Sequence, residues 1–322
     1  MKKTFAFLLC ATSACVAGPA AAADHRFPSH PVTLIVPNAP GGAVDILGRL
    51  LSERLQKTWG QPVVVMYKPG ANTVVGTDYV ARAPADGYTL GIVVTSHVIN
   101  PTLRKTMPFD TLKDLAGVSM LVTSQIVITA TPSFAAKDLA GVIDIAKKQP
   151  GKLSYASPGS GSSMHLTGEL LKNMTGIDML HIPYKGSGPA YTEVMAGRVP
   201  LLIDPLFSSM PYIKSGKLKP IAVTGKTRDA SAPDIPTVAE TIPGFNVQSI
   251  FGLVAPSATP REVINKISAD VGTVLRSPDF KARLAEVGLT AAPSSPEEFD
   301  AYVRDEIAKW APVVRASGAT AD

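Results

Sequence analysis

Four short segments combine glycine, hydroxyl and amide residues in a way that suits anion capture. The first is Asn38-Ala39-Pro40-Gly41-Gly42-Ala43-Val44-Asp45, between a β-branched run and an amphipathic one. The second is Ser157-Pro158-Gly159-Ser160-Gly161-Ser162-Ser163, and the third is Tyr184-Lys185-Gly186-Ser187-Gly188-Pro189. The fourth, Thr95-Ser96-His97, directly follows an apolar run. Glycine lets the backbone approach a ligand closely, and a helix start offers N–H groups with no partner in the helix. Such ends favour carboxylate or phosphate. The competing reading of each segment is a capped turn, with Asp45 as an N-cap, Ser162 or Ser163 capping, and Pro189 at a first helical position. Asp204 ends the apolar run 199–203, where an acid can take a ligand ammonium, order water or close a turn.

Catalytic patterns fit poorly. Gly225-Lys226-Thr227 ends like a P-loop, but the position that needs glycine is Pro220. Gly159-Ser160-Gly161-Ser162 is not a G-x-S-x-G elbow. His97, His165 and His181 lack metal-ligand spacing, and no carboxylate pair suggests a glycosidase dyad. Ser163 and His165 form the sole local nucleophile–base candidate. Two residues apart on a helix, they point in different directions. No catalytic residue, metal or cofactor is expected.

The elements that would position these loops alternate. Strand-like runs at 32–36, 63–67 and 89–94 enclose helical patterns at 45–56 and 74–82, a βαβαβ order that implies a parallel sheet covered by helices. The apolar run 118–130 is long for one strand and suits a crossing between domains. A second block follows, with helices at 139–147, 163–174 and 189–196 and strands at 153–156, 179–182, 199–203 and 219–224. A return strand at 250–255 precedes helices at 260–275, 278–287 and 296–316. Two α/β blocks joined by two crossings predict two lobes, 24–123 plus 248–322 and 124–247. Loops at the carboxyl ends of their strands would then face one cleft.

The N-terminus reads as an export signal. Lys2 and Lys3 precede an apolar run too short to anchor in a bilayer, and Ala21-Ala22-Ala23 precedes Asp24. Cleavage is expected after Ala23, giving residues 1–23 as signal peptide and a periplasmic chain. Cys10 and Cys15 both fall inside it, so the mature chain has no thiol chemistry and no disulfide. Without Lys2 and Lys3 the charge balance is 29 basic to 26 acidic residues, with no basic block to suggest nucleic acid.

At the loops the chain resembles the solute-binding component of tripartite tricarboxylate transporters, the Bug family. The segments that carry the resemblance include FPSHPVTLIVPNAPGGAVDILGRLLSERL, GQPVVVMYKPGAN, VARAPADGYTLGI, HIPYKGSGPA, SGKLKPIAVTGKTR and PGFNVQSIFGLVAPSATP. They run from about Phe27 to Trp310, nearly the whole mature chain. The resemblance implies a periplasmic-binding-protein (Venus-flytrap) fold, with two α/β lobes of mixed sheets flanked by helices and two crossover strands. It implies a chain that holds a small organic mono-, di- or tricarboxylate, aromatic ones included, or an amino acid, and delivers it to a two-component integral membrane permease. A monomer is expected, since closure needs no partner chain. It places Asn38, Ala39, Gly42, Ala43, Val44, Asp45, Asn72, Thr73, Ser96, His97, Gly159, Ser160, Gly161, Ser162, Ser163 and Asp204 at the ligand. His165 and Tyr184 join them from the second and third loops.

Two departures bear on the ligand. Val44 stands where the family often has a hydroxyl and Asn38 where it often has an aromatic residue. Asn72-Thr73-Val74 also differs from the family's glycine-rich turn. Room for an apolar or aromatic ligand body is expected. Ser162→Ala and Asp204→Ala are expected to weaken binding with the fold intact. The alternatives are a ligand sensor for a signalling partner and an exported hydrolase.

Overall fold

The computed structural model describes residues 27–320. The expected signal peptide, residues 1–23, and its expected cleavage site lie outside the described residues. The chain folds into a mixed α/β architecture, one long curled sheet with helices on its faces.

The β-branched runs near the N-terminus form β1 (Val32–Val36), β2 (Val63–Tyr67) and β3 (Thr89–Val94). They are linked by helices α1 (Ala43–Trp59) and α2 (Val74–Ala81), and both β1–β2 and β1–β3 are parallel. Helix α1 keeps Leu47, Leu51 and Leu55 fully buried, and Gly60 ends it at φ 65°. Only glycine adopts that left-handed cap without steric cost. Helix α3 (Ser96–Leu103) follows β3 directly.

Strand β4 (Leu115–Ala130) joins the two halves of the sheet. Its portion Leu115 to Gln125 pairs antiparallel with β9 (Gln248–Pro256), and its last residues, Ile126 to Ala130, pair with β7 (Leu201–Pro205). Strand β8 (Lys219–Val223) also pairs with the distal part of β4, and β10 (Thr290–Ala291) pairs with Thr123 and Val122. The second half adds β5 (Ser154–Ser157) and β6 (Leu180–Pro183), parallel to each other, with β5 also parallel to β7. Its helices are α4 (Leu139–Lys148), α5 (Ser163–Thr175), α6 (Ser187–Met195), α7 (Leu206–Lys214) and the short α8 (Val238–Thr241). Eight of the ten strands follow the order β2-β1-β3-β9-β4-β7-β5-β6, and β8 and β10 pair with β4 off that path.

The C-terminal helices α9 (Arg261–Arg276), α10 (Pro278–Glu286) and α11 (Pro296–Ser317) cover the first half. Helix α9 packs Ile264, Ile267 and Val271 into the same core as α1. Helix α11 starts with a reciprocal Ser295/Glu298 capping box. It lies against α3, β4 and α5, burying Phe299 and Trp310. Its packing needs Gly252: a Cβ there would lie 2.0 Å from the Phe299 ring.

Four elements depart from the sequence reading, the two-residue β10 among them. Helix α3 replaces the expected loop at Thr95-Ser96-His97, and α7 and α8 were not anticipated. Pro101 lies inside α3 and Pro211 inside α7, and both interrupt the pattern by which a helix is recognised. Helix α6 begins two residues before Pro189, so that proline is not at the first helical position.

Candidate functional site

A cavity of about 230 Å³ opens between the two halves of the sheet. Its wall is formed by Asn38, Ala43, Val44, Asn72, Thr73, Val94, Thr95, Ser96, Ile99, Ser124, Gly161, Ser162, Ser163, Met164, Pro205, Phe207, Ser249, Ile250 and Phe251. Among these described residues none is ionisable. The wall is carbon-rich, with hydroxyls and two amides set into it.

Five helices begin at this wall, but α2, whose N-cap is Thr73, spends its first N–H groups on the Ala71 and Gly70 carbonyls, which leaves four. In α1 the first intrahelical bond runs from the Ile46 N–H to the Gly42 carbonyl, so the Ala43 and Val44 N–H groups precede the ladder. In α5 the Leu166 N–H bonds to the Ser162 carbonyl and the His165 N–H to the Ser162 hydroxyl, leaving those of Ser163 and Met164. Helix α3 begins at Ser96 and α7 at Leu206, just after wall residue Pro205. Each helix start carries about half a positive elementary charge, so four together offer about two. That suits one or two carboxylates, and it requires no lysine or arginine. Burying a carboxylate without donors is prohibitive, and these N–H groups supply them.

The hydroxyls differ in what they have left to give. Ser162 is committed: its Oγ donates to the Gly159 carbonyl at 2.7 Å and accepts from the His165 N–H as the N-cap of α5. Ser124 donates to the Gly288 carbonyl and Thr95 accepts from the Ile250 N–H. Ser163 makes only a weak contact to the Met164 sulfur, and Ser249 has no side-chain bond among the described residues. Ser124 and Ser249 face each other across the β4–β9 pair.

Of the residues expected at the ligand, Asn38, Ala43, Val44, Asn72, Thr73, Ser96, Gly161, Ser162 and Ser163 share this wall. The others lie elsewhere. Ala39 and Gly42 are exposed beside it. Gly42, not Asp45, is the N-cap of α1. Asp45 sits inside the first turn, where burial alone would raise its carboxyl. Bonds from Tyr67 Oη, Arg49 Nε and the Gly41 N–H outweigh that and hold it at about 2. It fixes the loop and is not free for ligand.

His97 is buried on the far side of α3, in a second cavity with Thr111, Asp300 and Arg304. Burial pushes its imidazole down to about 4. Gly159 holds the Ser157 and Ser162 hydroxyls through its carbonyl, and Ser160 is exposed on an outer groove. His165 lines that groove too. Its Nδ1 accepts the Gly161 N–H at 3.1 Å, and its ring stacks on His181 at 3.8 Å. Burial, and then the charges of His165 and Lys172, lower the His181 imidazole to about 3. Ser163 and His165 therefore share no hydrogen bond of the nucleophile–base kind.

Tyr184 packs against the apolar cluster of Tyr191 and Leu202. Asp204 lies within β7 behind the wall, fully buried, taking hydrogen bonds from the Ser187 hydroxyl at 2.8 Å and from Tyr191. Burial raises its carboxyl to about 6. Sequence reasoning missed Val94, Ile99, Ser124, Met164, Pro205, Phe207 and Ser249 to Phe251. Most of these reach the wall through the β4–β9 pairing or through α7, neither of which leaves a local pattern.

This neutral cleft, ringed by helix starts, defines a binding protein for a small anion. The family model described as tripartite tricarboxylate transporter family receptor matches residues 47–319, and the chain belongs to that family. The protein BugT of Bordetella pertussis is 34% identical over 307 residues, covering 94% of each chain. A solved R. palustris protein with adipate is similar at 34% identity and TM-score 0.78, covering 91% of this chain and 99% of that one. MatC from Rhodopseudomonas palustris with bound malate is similar at 30% identity and TM-score 0.74, covering 89% and 100%.

Proposed function

We propose that this chain is a periplasmic receptor that captures a small organic carboxylate in the cleft and passes it to a two-component membrane permease. The observation that carries this reading is the meeting of four helix starts with free N–H groups at a cavity that has no ionisable wall residue among the described residues. The field there is positive, yet no fixed cation would hold the ligand when the cleft opens. The carboxylates named for the two R. palustris proteins support the same ligand class.

The change of partners along β4, from β9 to β7 and β8 at Gln125–Ile126, supports lobes near 24–123 plus 248–322 and 124–247. Export with cleavage after Ala23, action as a monomer and the absence of catalytic turnover complete the proposal.

The test is titration calorimetry and thermal shift on the chain from Asp24 onward, unfolded and refolded to strip bound solutes. Adipate, malate and simple monocarboxylates are the probes. A ligand at 1,000 times its Kd should add about 4 kcal/mol of apparent stability. Silence from every acid on the stripped protein removes the reading.

A further inference from the structure

The turn between β2 and α2 is held in a conformation that its residues resist. Ala71, Asn72 and Thr73 have φ of 47°, 52° and 76°, three consecutive non-glycine residues in the left-handed region. Glycine adopts this region freely, whereas a Cβ makes it costly and a β-branched residue most of all. Strain of this kind persists where the surroundings enforce it, and it clusters at ligand sites. Here Asn72 and Thr73 both line the cavity.

Helix α3 enforces the turn. Asn100, which is buried, donates from Nδ2 to the Asn72 carbonyl at 2.9 Å, and its Oδ1 accepts from Asn72 Nδ2 at 2.9 Å. This pair leaves no freedom in the amide orientations. A backbone carbonyl only accepts, so the Asn100 atom facing it is the NH2 group. The other Asn100 atom is then the oxygen, and the Asn72 atom facing that oxygen is the NH2 group. What Asn72 has left for the cavity is Oδ1, an acceptor with no partner among the described residues. Beside it, the Thr73 and Ser96 hydroxyls bond each other at 2.7 Å, which uses one proton and leaves one to give. The turn thus presents an acceptor next to a donor.

Resting on the carboxylate reading, we propose that Asn72, positioned by Asn100, is a specificity residue. It selects acids that also carry a neutral hydrogen-bond donor, a hydroxyl or a carboxamide, over the same acids without it. Asn72 is exposed at the cavity wall before ligand binds, so the discrimination comes from what the bound acid covers: an acid lacking the donor shields Asn72 Oδ1 from water without pairing it. A free ammonium fits less well. Among the described residues no acidic one lines the cavity, and Asp45 and Asp204 are already engaged by other side chains.

The experiment is calorimetry on the stripped mature protein with matched pairs: malate and succinate, 3-hydroxybutyrate and butyrate, mandelate and phenylacetate. The hydroxyl member of at least one binding pair should bind about 10- to 100-fold tighter. Asn72→Gly tolerates the left-handed turn and should bring the pair within about 3-fold, by weakening the hydroxy acid and sparing its partner. Equal affinities within every binding pair in the native chain would overturn the proposal while leaving the carboxylate reading intact. So would a preference that survives in Asn72→Gly. If no member of any pair binds, the carboxylate reading falls and takes this inference with it.

Discussion

Acid should weaken the fold through His97, by an amount that its burial sets. The side chain is 5% exposed, and burial is the sole cause that lowers its imidazole from 6.5 to about 4. The unfolded chain binds that proton near 6.5, so it holds more protons than the native chain between the two values. Stability is therefore fully present above 6.5 and is lost as pH falls toward 4. The whole span corresponds to about 3 kcal/mol, of which about 2 kcal/mol is gone by pH 5. His165 and His181 are lowered by burial as well and act in the same direction. Asp204 acts in the opposite one, so the raw pH profile does not isolate His97. The measurement is urea unfolding at pH 7.5 and 5.0 for the native chain and for His97→Gln. The variant carries a constant packing cost at both pH values, and the difference of differences removes it. The native chain should lose about 2 kcal/mol more than the variant on acidification. Equal losses would show that His97 is not buried neutral in solution, and the reasoning from its burial would fail.

Other outcomes follow from particular contacts. Asp204, raised by burial to about 6, contributes stability that is present below 3.8 and lost as pH rises through 6. Asp204→Asn should therefore remove roughly 1 kcal/mol of the stability gained between pH 7.5 and 5, read from the same urea curves. Ala71→Gly relieves a left-handed alanine whose side chain makes no hydrogen bond, and should raise stability by about 1 kcal/mol in a thermal melt; a fall in Tm would count against strain at the turn. Ser162→Ala removes the α5 N-cap and should cost about 1 kcal/mol of stability as well as affinity, where the sequence alone suggested an intact fold. Ser249→Ala removes a wall hydroxyl with no side-chain bond. It should weaken carboxylate binding about 5-fold, seen by calorimetry, with Tm unchanged.

Much of the architecture was legible because it is local. The runs 32–36, 63–67 and 89–94 coincide with β1, β2 and β3. The serine before the apolar face of α5 is its cap. The length of the 118–130 run matched the inner part of β4. What stayed hidden is what distant contacts decide. Asp45 reads as a cap until Tyr67, from β2, is seen to take it. Asp204 reads as a strand-end acid until Ser187 and Tyr191 of α6 close over it. Ser124 and Ser249 share no pattern in the chain and meet through strand register alone. The expected consequences of Asp204→Ala change accordingly: a buried acid that holds the buried Tyr191 hydroxyl and the half-buried Ser187 hydroxyl cannot be removed with the fold unaffected.

Peptide N–H groups at helix starts cannot be deleted by a point substitution, short of proline. A receptor whose affinity for negative charge rests on them keeps that affinity while Val44, Met164, Phe207 and Phe251 change around it. Descendants of such a chain can drift toward new cargo without passing through a form that binds nothing. One ancestral cleft can thus radiate into many receptors, each differing in a handful of wall side chains and sharing the same unalterable ring of backbone donors.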